Sequence, residues 1–173
     1  MPWLRPAGEY LLSFLARQYL MLDEKFIERH PHAWLMWEPM EGTTEVVGPH
    51  AAETCMPGRD AKRTVAVGDA LCFELAASAG HPVRFHVGRN DGGQLLVTPV
   101  APARPYCVLV HAGGWHVAAS PEMSAIEVSG NPLGPGIEVP LLEGAVLDLD
   151  GLRLIFRGPR AFTQQIAAHT LRL

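Results

Sequence analysis

The sequence predicts an all-β antiparallel sandwich with an N-terminal α-helical extension, on three observations. Short apolar-rich runs follow one another from Arg63 to Arg157. Turn signals carrying Gly, Pro, Asn or Asp separate them. A run of apolar residues at helical spacing occupies the first thirty positions. The 15 prolines and 17 glycines among 173 residues are too many for a helical bundle and suit short strands with tight turns.

The elements follow in chain order. Pro6 suits a first helical turn, and Glu9 favours the positive end of a helix dipole. Leu11, Leu15, Tyr19, Leu22 and Phe26 then fall on one helical face, widened by Leu12, Leu20 and Ile27, with Phe14 and Met21 outside it. Pro31 marks the end. This predicts a helix over 1–30 that docks on its own domain, on a partner or on a second copy. Residues 31–60 form a spacer with one or two short strands: "AWLMWE" (Ala33 to Glu38) and "TTEVV" (Thr43 to Val47). Residues 61–157 form the sandwich. Its strands are Arg63 to Val67, Ala70 to Leu75, Val83 to Val87, Gln94 to Val97, Tyr106 to His111, Trp115 to Ala118, Ser124 to Val128, Gly136 to Val139, Ala145 to Leu149 and Leu152 to Arg157. "SGNPLGPG" from Ser129 is a turn, and Asp150-Gly151 is the strongest hairpin signal. The tail, 158–173, closes with a short helix whose Phe162, Ile166 and Leu173 share a face.

Composition and motifs narrow the function. At 48% apolar and 18% charged residues the chain is a packed globule, not a disordered one. A net charge of −4 supplies no basic stripe for nucleic acid. The apolar stretch Tyr10 to Leu22 is broken by Ser13, Arg17 and Gln18, too short and too polar to span a bilayer. With no secretory signal evident, the expectation is a reduced, cytoplasmic protein. Cys55, Cys72 and Cys107 are scattered and odd in number, which argues against a zinc site or a disulfide framework. The eight histidines, among them His30, His32, His111 and His116, match no ligand spacing. No nucleophile motif occurs, and Asp148 and Asp150 fit a solvent face and a turn better than an acid/base pair. The expectation is a chain without enzyme activity, metal or cofactor.

Several segments recur in a recognisable order. Gly88-Arg89 closes a strand, and Gln94-Leu95-Leu96-Val97 follows. Ala103-Arg104-Pro105-Tyr106 opens the next strand. Trp115 to Gly130 then run without a gap, and Leu141 to Phe156 close the series. From Val83 to Phe156 this order resembles the forkhead-associated (FHA) domain, the phosphothreonine-reading β-sandwich of signalling proteins. The family pattern has a strand ending in Gly-Arg, a Ser-Arg-x-His segment, an Asn-Gly-Thr-x-Val-Asn-Gly segment and a closing strand pair. The resemblance implies a phosphopeptide site at Arg89, at the serine position Ala103 and at the first asparagine position Ser124, with Arg104 and Asn90 beside it.

The departures from the family pattern fall on that site. Ala103 has no hydroxyl for a phosphate oxygen, Ser124 reaches less far than asparagine, and Tyr106 replaces the scaffold histidine. A phosphate site needs converging donors as well as charge. The expectation is a non-catalytic protein–protein interaction module in signalling or assembly, with weak or lost phosphothreonine recognition and a phosphorylated or acidic protein partner. Three readings of Arg89 stand open: a structural arginine with its stem packed along the sheet, a residual phosphopeptide grip, or part of a surface for an unphosphorylated partner. The competing functions are a small hydrolase using surface histidines and a homo-oligomer built by the N-terminal helix.

Overall fold

A computed structural model of the chain describes residues 8–39, 65–66, 68–77, 83–121 and 126–173. In chain order the elements are β1 (Gly8–Leu11), α1 (Leu12–Leu22), α2 (Phe26–Arg29), β2 (Ala33–Trp37), β3 (Leu71–Leu75), β4 (Val83–Arg89), β5 (Leu95–Thr98), β6 (Arg104–His111), β7 (Trp115–Ala119), β8 (Ile126–Val128), β9 (Asn131–Leu133), β10 (Glu138–Pro140), β11 (Val146–Leu149), β12 (Leu152–Arg157) and α3 (Pro159–His169). Among the described residues these strands make two antiparallel sheets. One has the order β1-β3-β2-β12-β11-β8-β9, the other β10-β7-β6-β4-β5.

Alternation decides which side chains meet between the sheets. Leu152, Leu154 and Phe156 of β12 point inward, as do Phe85 and Val87 of β4, Leu109 of β6 and Val117 of β7, and all join one buried cluster. Arg153, between two inward leucines, faces out and lies 3.5 Å from Asp148 on the neighbouring strand. "AWLMW" does not alternate because β2 is covered on both sides. Its Ala33, Leu35 and Trp37 join the inter-sheet core. Trp34 and Met36 join a second core with Leu12, Leu15, Ala16, Phe26, Cys72, Phe162 and Ile166, where the helices lie on the outer face of the larger sheet. Trp34 stacks on Phe162 at 4.3 Å between ring centroids.

The N-terminal segment departs from its expected form. A single helix over 1–30 is predicted; Gly8–Leu11 instead extends the sheet by pairing with β3, with Leu11 opposite Leu71. The helix then breaks at Asp23, whose φ is +52°, and a 3₁₀ turn leads into α2. Leu20 is 62% exposed rather than on the docked face, because the buried face runs through Leu12, Leu15 and Ala16. The sheet also reaches back beyond the expected boundary at residue 61, since β2 lies between β3 and β12. In the tail, Phe162 and Ile166 are buried as expected, but Leu173 lies past the end of α3 and is 54% exposed. The predicted turn from Ser129 contains a strand, β9, joined to β8 through Ser129 and Gly130, both at positive φ. Pro132 is tolerated there because β9 is a sheet edge. The expected strand Thr43 to Val47 lies outside the described residues, as does most of Arg63 to Val67; Val65 and Ala66 are described and are not in a strand.

Polar side chains tie the helical layer to the sheet. His30, buried at the end of α2, places Nδ1 2.7 Å from Glu74 Oε2 on β3 and Nε2 2.8 Å from Gln18 Oε1 on α1. The residue before α1, Leu11, offers no side-chain cap. Asp69 supplies one from a distant part of the chain: its Oδ1 accepts from Ser13 N at 2.9 Å and its Oδ2 from Ser13 Oγ at 2.5 Å. Asp69→Ala is expected to cost about 0.5–2 kcal/mol, the usual range for loss of a helix N-cap. Asp69→Asn should retain part of that, since one carbonyl oxygen survives. Denaturant midpoints of the two variants check the order; equal midpoints for Asp69→Ala and wild type would remove the cap role.

Candidate partner-binding rim

Antiparallel pairing brings the expected site residues to one end of the smaller sheet. β4 ends at Arg89 where β6 begins at Arg104, and the two are direct partners in the register. β7 ends beside them, with Ala119 opposite Cys107. The β4–β5 turn (residues 90–94), the β5–β6 connection (99–103) and the start of the β7–β8 connection at Ser120 therefore gather at this end. Ser120 is buried, and its N–H donates to Tyr106 O at 3.0 Å. Ser124 lies outside the described residues.

Gly88 lets the backbones approach. A Cβ built there would overlap the Arg104 carbonyl oxygen, 2.7 Å from Pro102 Cγ and 2.9 Å from Pro105 Cα. The register between β4 and β6 shifts at this point: Val87 faces Cys107, but Gly88 faces Pro105, so Tyr106 is the extra residue of a bulge. A bulge also accommodates Pro105, which has no N–H for the ladder. Tyr106 and Cys107 both reach the inter-sheet core, which strict alternation would forbid.

The bulge brings together Arg89 of β4 and Tyr106 of β6. Arg89 Nε donates to Tyr106 Oη at 2.9 Å, and Arg89 Nη1 donates to the Gly93 carbonyl at 2.8 Å. Asn90 closes the same turn: its Oδ1 accepts from Gln94 N at 2.9 Å, and its carbonyl accepts from Gly93 N at 3.0 Å. The Asn90 side chain is thus engaged in shaping the loop. Ala103 and Arg104 are exposed. Two like charges opposite each other across a strand pair disfavour folding, and Arg89 and Arg104 stand in that relation. The signal for the Arg89–Tyr106 link was the adjacent pair Tyr106-Cys107, two core-type residues in a row where alternation calls for one.

The remaining chemistry-bearing side chains lie elsewhere. Burial pushes the Cys107 thiol up to about 12. Burial, followed by the charges of Asp69 and Glu38, holds Cys72 well above the usual thiol value. Both thiols are protonated near neutral pH and are poor nucleophiles. His86, on the outer face of β4, is lowered by burial and then by Arg84. His32 and His111 share a groove of ≈ 450 Å³ with Trp115 and Glu143, at the far end of the smaller sheet from Arg89, where Val83 pairs with His111. The Glu143 carboxylate there is engaged by Arg157 Nη1 at 3.4 Å and by Gly158 N–H. Among the described residues no group of three or more His, Cys, Asp and Glu side chains is placed to hold a metal ion, and no helix is long and apolar enough to cross a membrane.

Comparison with known proteins gives no match to a protein-family model, a curated protein or a solved structure.

Proposed function

We propose that this chain is a non-catalytic protein–protein interaction module of the FHA kind, which takes an acidic segment of a partner at the rim of Arg89 and Arg104. The observation that carries the reading is the facing pair itself. Arg89 and Arg104 are register partners at the mouth of three loop segments, on a protein of net charge −4. Arg104 is exposed at the start of β6. A local cationic spot on an acidic protein steers carboxylate or phosphate groups to one place.

The strand order along the chain supports the resemblance. Gly88-Arg89 ends β4, Arg104 opens β6, Trp115 opens β7, and β11 and β12 are the closing pair. The grip that the family uses for phosphothreonine is depleted here, since Ala103 offers no hydroxyl. Weak or absent phosphothreonine recognition follows, and a carboxylate-bearing partner becomes the better candidate. A cytoplasmic role in signalling or assembly belongs to the same reading.

Arg104→Ala separates binding from folding. An exposed side chain away from caps and core changes stability by about 0.5 kcal/mol or less. The variant is therefore expected to melt like the wild type and to lose partner capture from native lysate at fixed salt. Capture that persists unchanged in the variant places the binding surface elsewhere, and α1 with its exposed Leu20 and Met21 is then the next surface to test. Phosphatase treatment of the lysate is expected to leave capture largely intact.

A further inference from the structure

We infer that a pocket between the helical layer and one end of the larger sheet binds a small zwitterion, an α-amino acid with an apolar side chain. Glu38 takes its ammonium group, and Arg172 with His169 takes its carboxylate. The site shares no residue with the rim and does not depend on the role proposed for it.

Strand pairing and helix docking build the pocket. Trp37 faces Leu71 where β2 ends and β3 begins, so Glu38-Pro39 and Asp69-Ala70 come together at that corner. α1 starts there too, with Leu12 N donating to Ala70 O at 2.8 Å. α3 supplies the opposite side. Gln165, Ala168, His169 and Arg172 are spaced i, i+3, i+4 and i+7, one stripe running from α3 into the 3₁₀ turn Thr170–Arg172. The stripe on one side, and Leu12, Glu38, Pro39 and Asp69 on the other, line a pocket of ≈ 220 Å³. Pockets that enclose drug-sized ligands run to roughly 300–1,000 Å³, so this one suits a smaller molecule.

The charges give the ligand its class. Asp69 is already committed: its carboxylate accepts from Ser13 N, Ser13 Oγ and Ala70 N, and its charge stands at the N-terminus of α1, where the helix dipole favours it. Glu38, His169 and Arg172 are not committed. Among the described residues none of the three makes an ion pair or a side-chain hydrogen bond. An acid and a base therefore line one pocket without pairing. The field of the acid reaches inward as well: Cys72, raised first by burial, is raised further by Asp69 and then by Glu38. A molecule that carries one charge of each sign satisfies both walls. An ammonium group offers donors to the Glu38 carboxylate, and a carboxylate matches the paired N–H groups of Arg172, with the His169 ring beside it. A cation alone leaves Arg172 unpaired, and an anion alone leaves Glu38 so. Leu12, Pro39 and Ala168 provide an apolar wall for a short aliphatic side chain.

The test is an NMR titration of the full chain at low salt with free leucine, isocaproate and isoamylamine. The last two keep the hydrocarbon of leucine and one of its two charged ends. Leucine should bind at least about tenfold more tightly than either, the lower bound for one hydrogen bond to a charged group. Glu38→Gln should weaken leucine and isoamylamine by about tenfold and leave isocaproate unchanged. Arg172→Gln should weaken leucine and isocaproate by a similar factor and leave isoamylamine unchanged. Both side chains are exposed, so both variants should melt with the wild type. The ranking of the three ligands on the wild type stands as a test even if a variant does not fold. Absence of saturable leucine binding overturns the inference. So does leucine binding no tighter than its two halves, or a loss that falls equally on all three ligands in both variants.

Discussion

A chain that begins at Pro31 is expected not to fold. Residues 8–30 contribute an edge strand and four buried side chains of one core, Leu12, Leu15, Ala16 and Phe26. Without them β3 loses its β1 partner. Trp34, Met36, Cys72, Phe162 and Ile166 lose the cover of Leu12, Leu15, Ala16 and Phe26. Burying one large apolar side chain stabilises by about 1.5–3 kcal/mol. Three lost large side chains, together with the surface they leave bare, reach the order of the whole 5–15 kcal/mol by which domains are stable. The truncation also removes His30 and Gln18. Glu74, 15% exposed, then loses the imidazole contact 2.7 Å away, and leaving a poorly solvated polar group without its hydrogen-bond partner is costly. Circular dichroism and light scattering on the shortened chain should show no cooperative melt and should show association through the bared sheet face. A monodisperse protein with the wild-type melting temperature would make the helical layer an appendage and its apolar face a docking surface.

The amphipathic run is legible in the sequence, but its division is not. Nothing in "LDEK" at Leu22 to Lys25 is a helix breaker; the break at Asp23 comes from the need to turn the chain toward β2, a tertiary demand. The strand Gly8–Leu11 is four residues long and leads directly into a helix, so it has no period of its own to detect. β9 was hidden by Pro132 and its flanking glycines, which mark a turn unless the strand is known to be an edge. The alternating runs from Val83 onward were legible because each has one face against the core, and Asp150-Gly151 announced its hairpin, with both residues at positive φ.

The rim was legible in part for the same reason. Gly88, Arg89 and Arg104 could be placed at strand ends by spacing, and antiparallel pairing then makes neighbours of them. What spacing cannot show is a bulge, because it depends on which residue of β6 is skipped by β4. Tyr106 therefore read as a substituted scaffold position, whereas its hydroxyl bonds the arginine. The open question of whether Arg89 is structural or functional resolves into two parts. Its Nε and Nη1 organise the loop, and the binding role we propose falls more heavily on exposed Arg104.

Gly88→Ala tests the geometry on which that division stands, and it should be among the most damaging single methyl additions in the protein. The backbone at Gly88 is not in the left-handed region, so the demand for glycine is one of space. The added Cβ meets the Arg104 carbonyl oxygen and Pro105 Cα, which are backbone atoms and cannot rotate away as a side chain can. Accommodation requires β4 and β6 to separate at the bulge, which loosens the pairing of Gly88 with Pro105 and of Arg89 with Arg104. Overpacking of this kind costs about 1–3 kcal/mol, and clashes with backbone belong at the upper end. For a chain of this size that lowers the melting temperature by roughly 6–12 °C, at about 2–4 °C per kcal/mol. Gly92→Ala is the matched control. It lies in the adjoining turn, and its nearest neighbour would be Asn90 Oδ1 at 3.4 Å; an exposed change of this kind should stay within about 0.5 kcal/mol. Because the clash displaces Arg104 along with the backbone, Gly88→Ala should also lose the capture that Arg104→Ala loses, but with a lowered melting temperature. A Gly88→Ala protein that melts with the wild type would mean that β4 and β6 do not approach this closely, and the path from bulge to Tyr106 to Arg89 would lose its starting point.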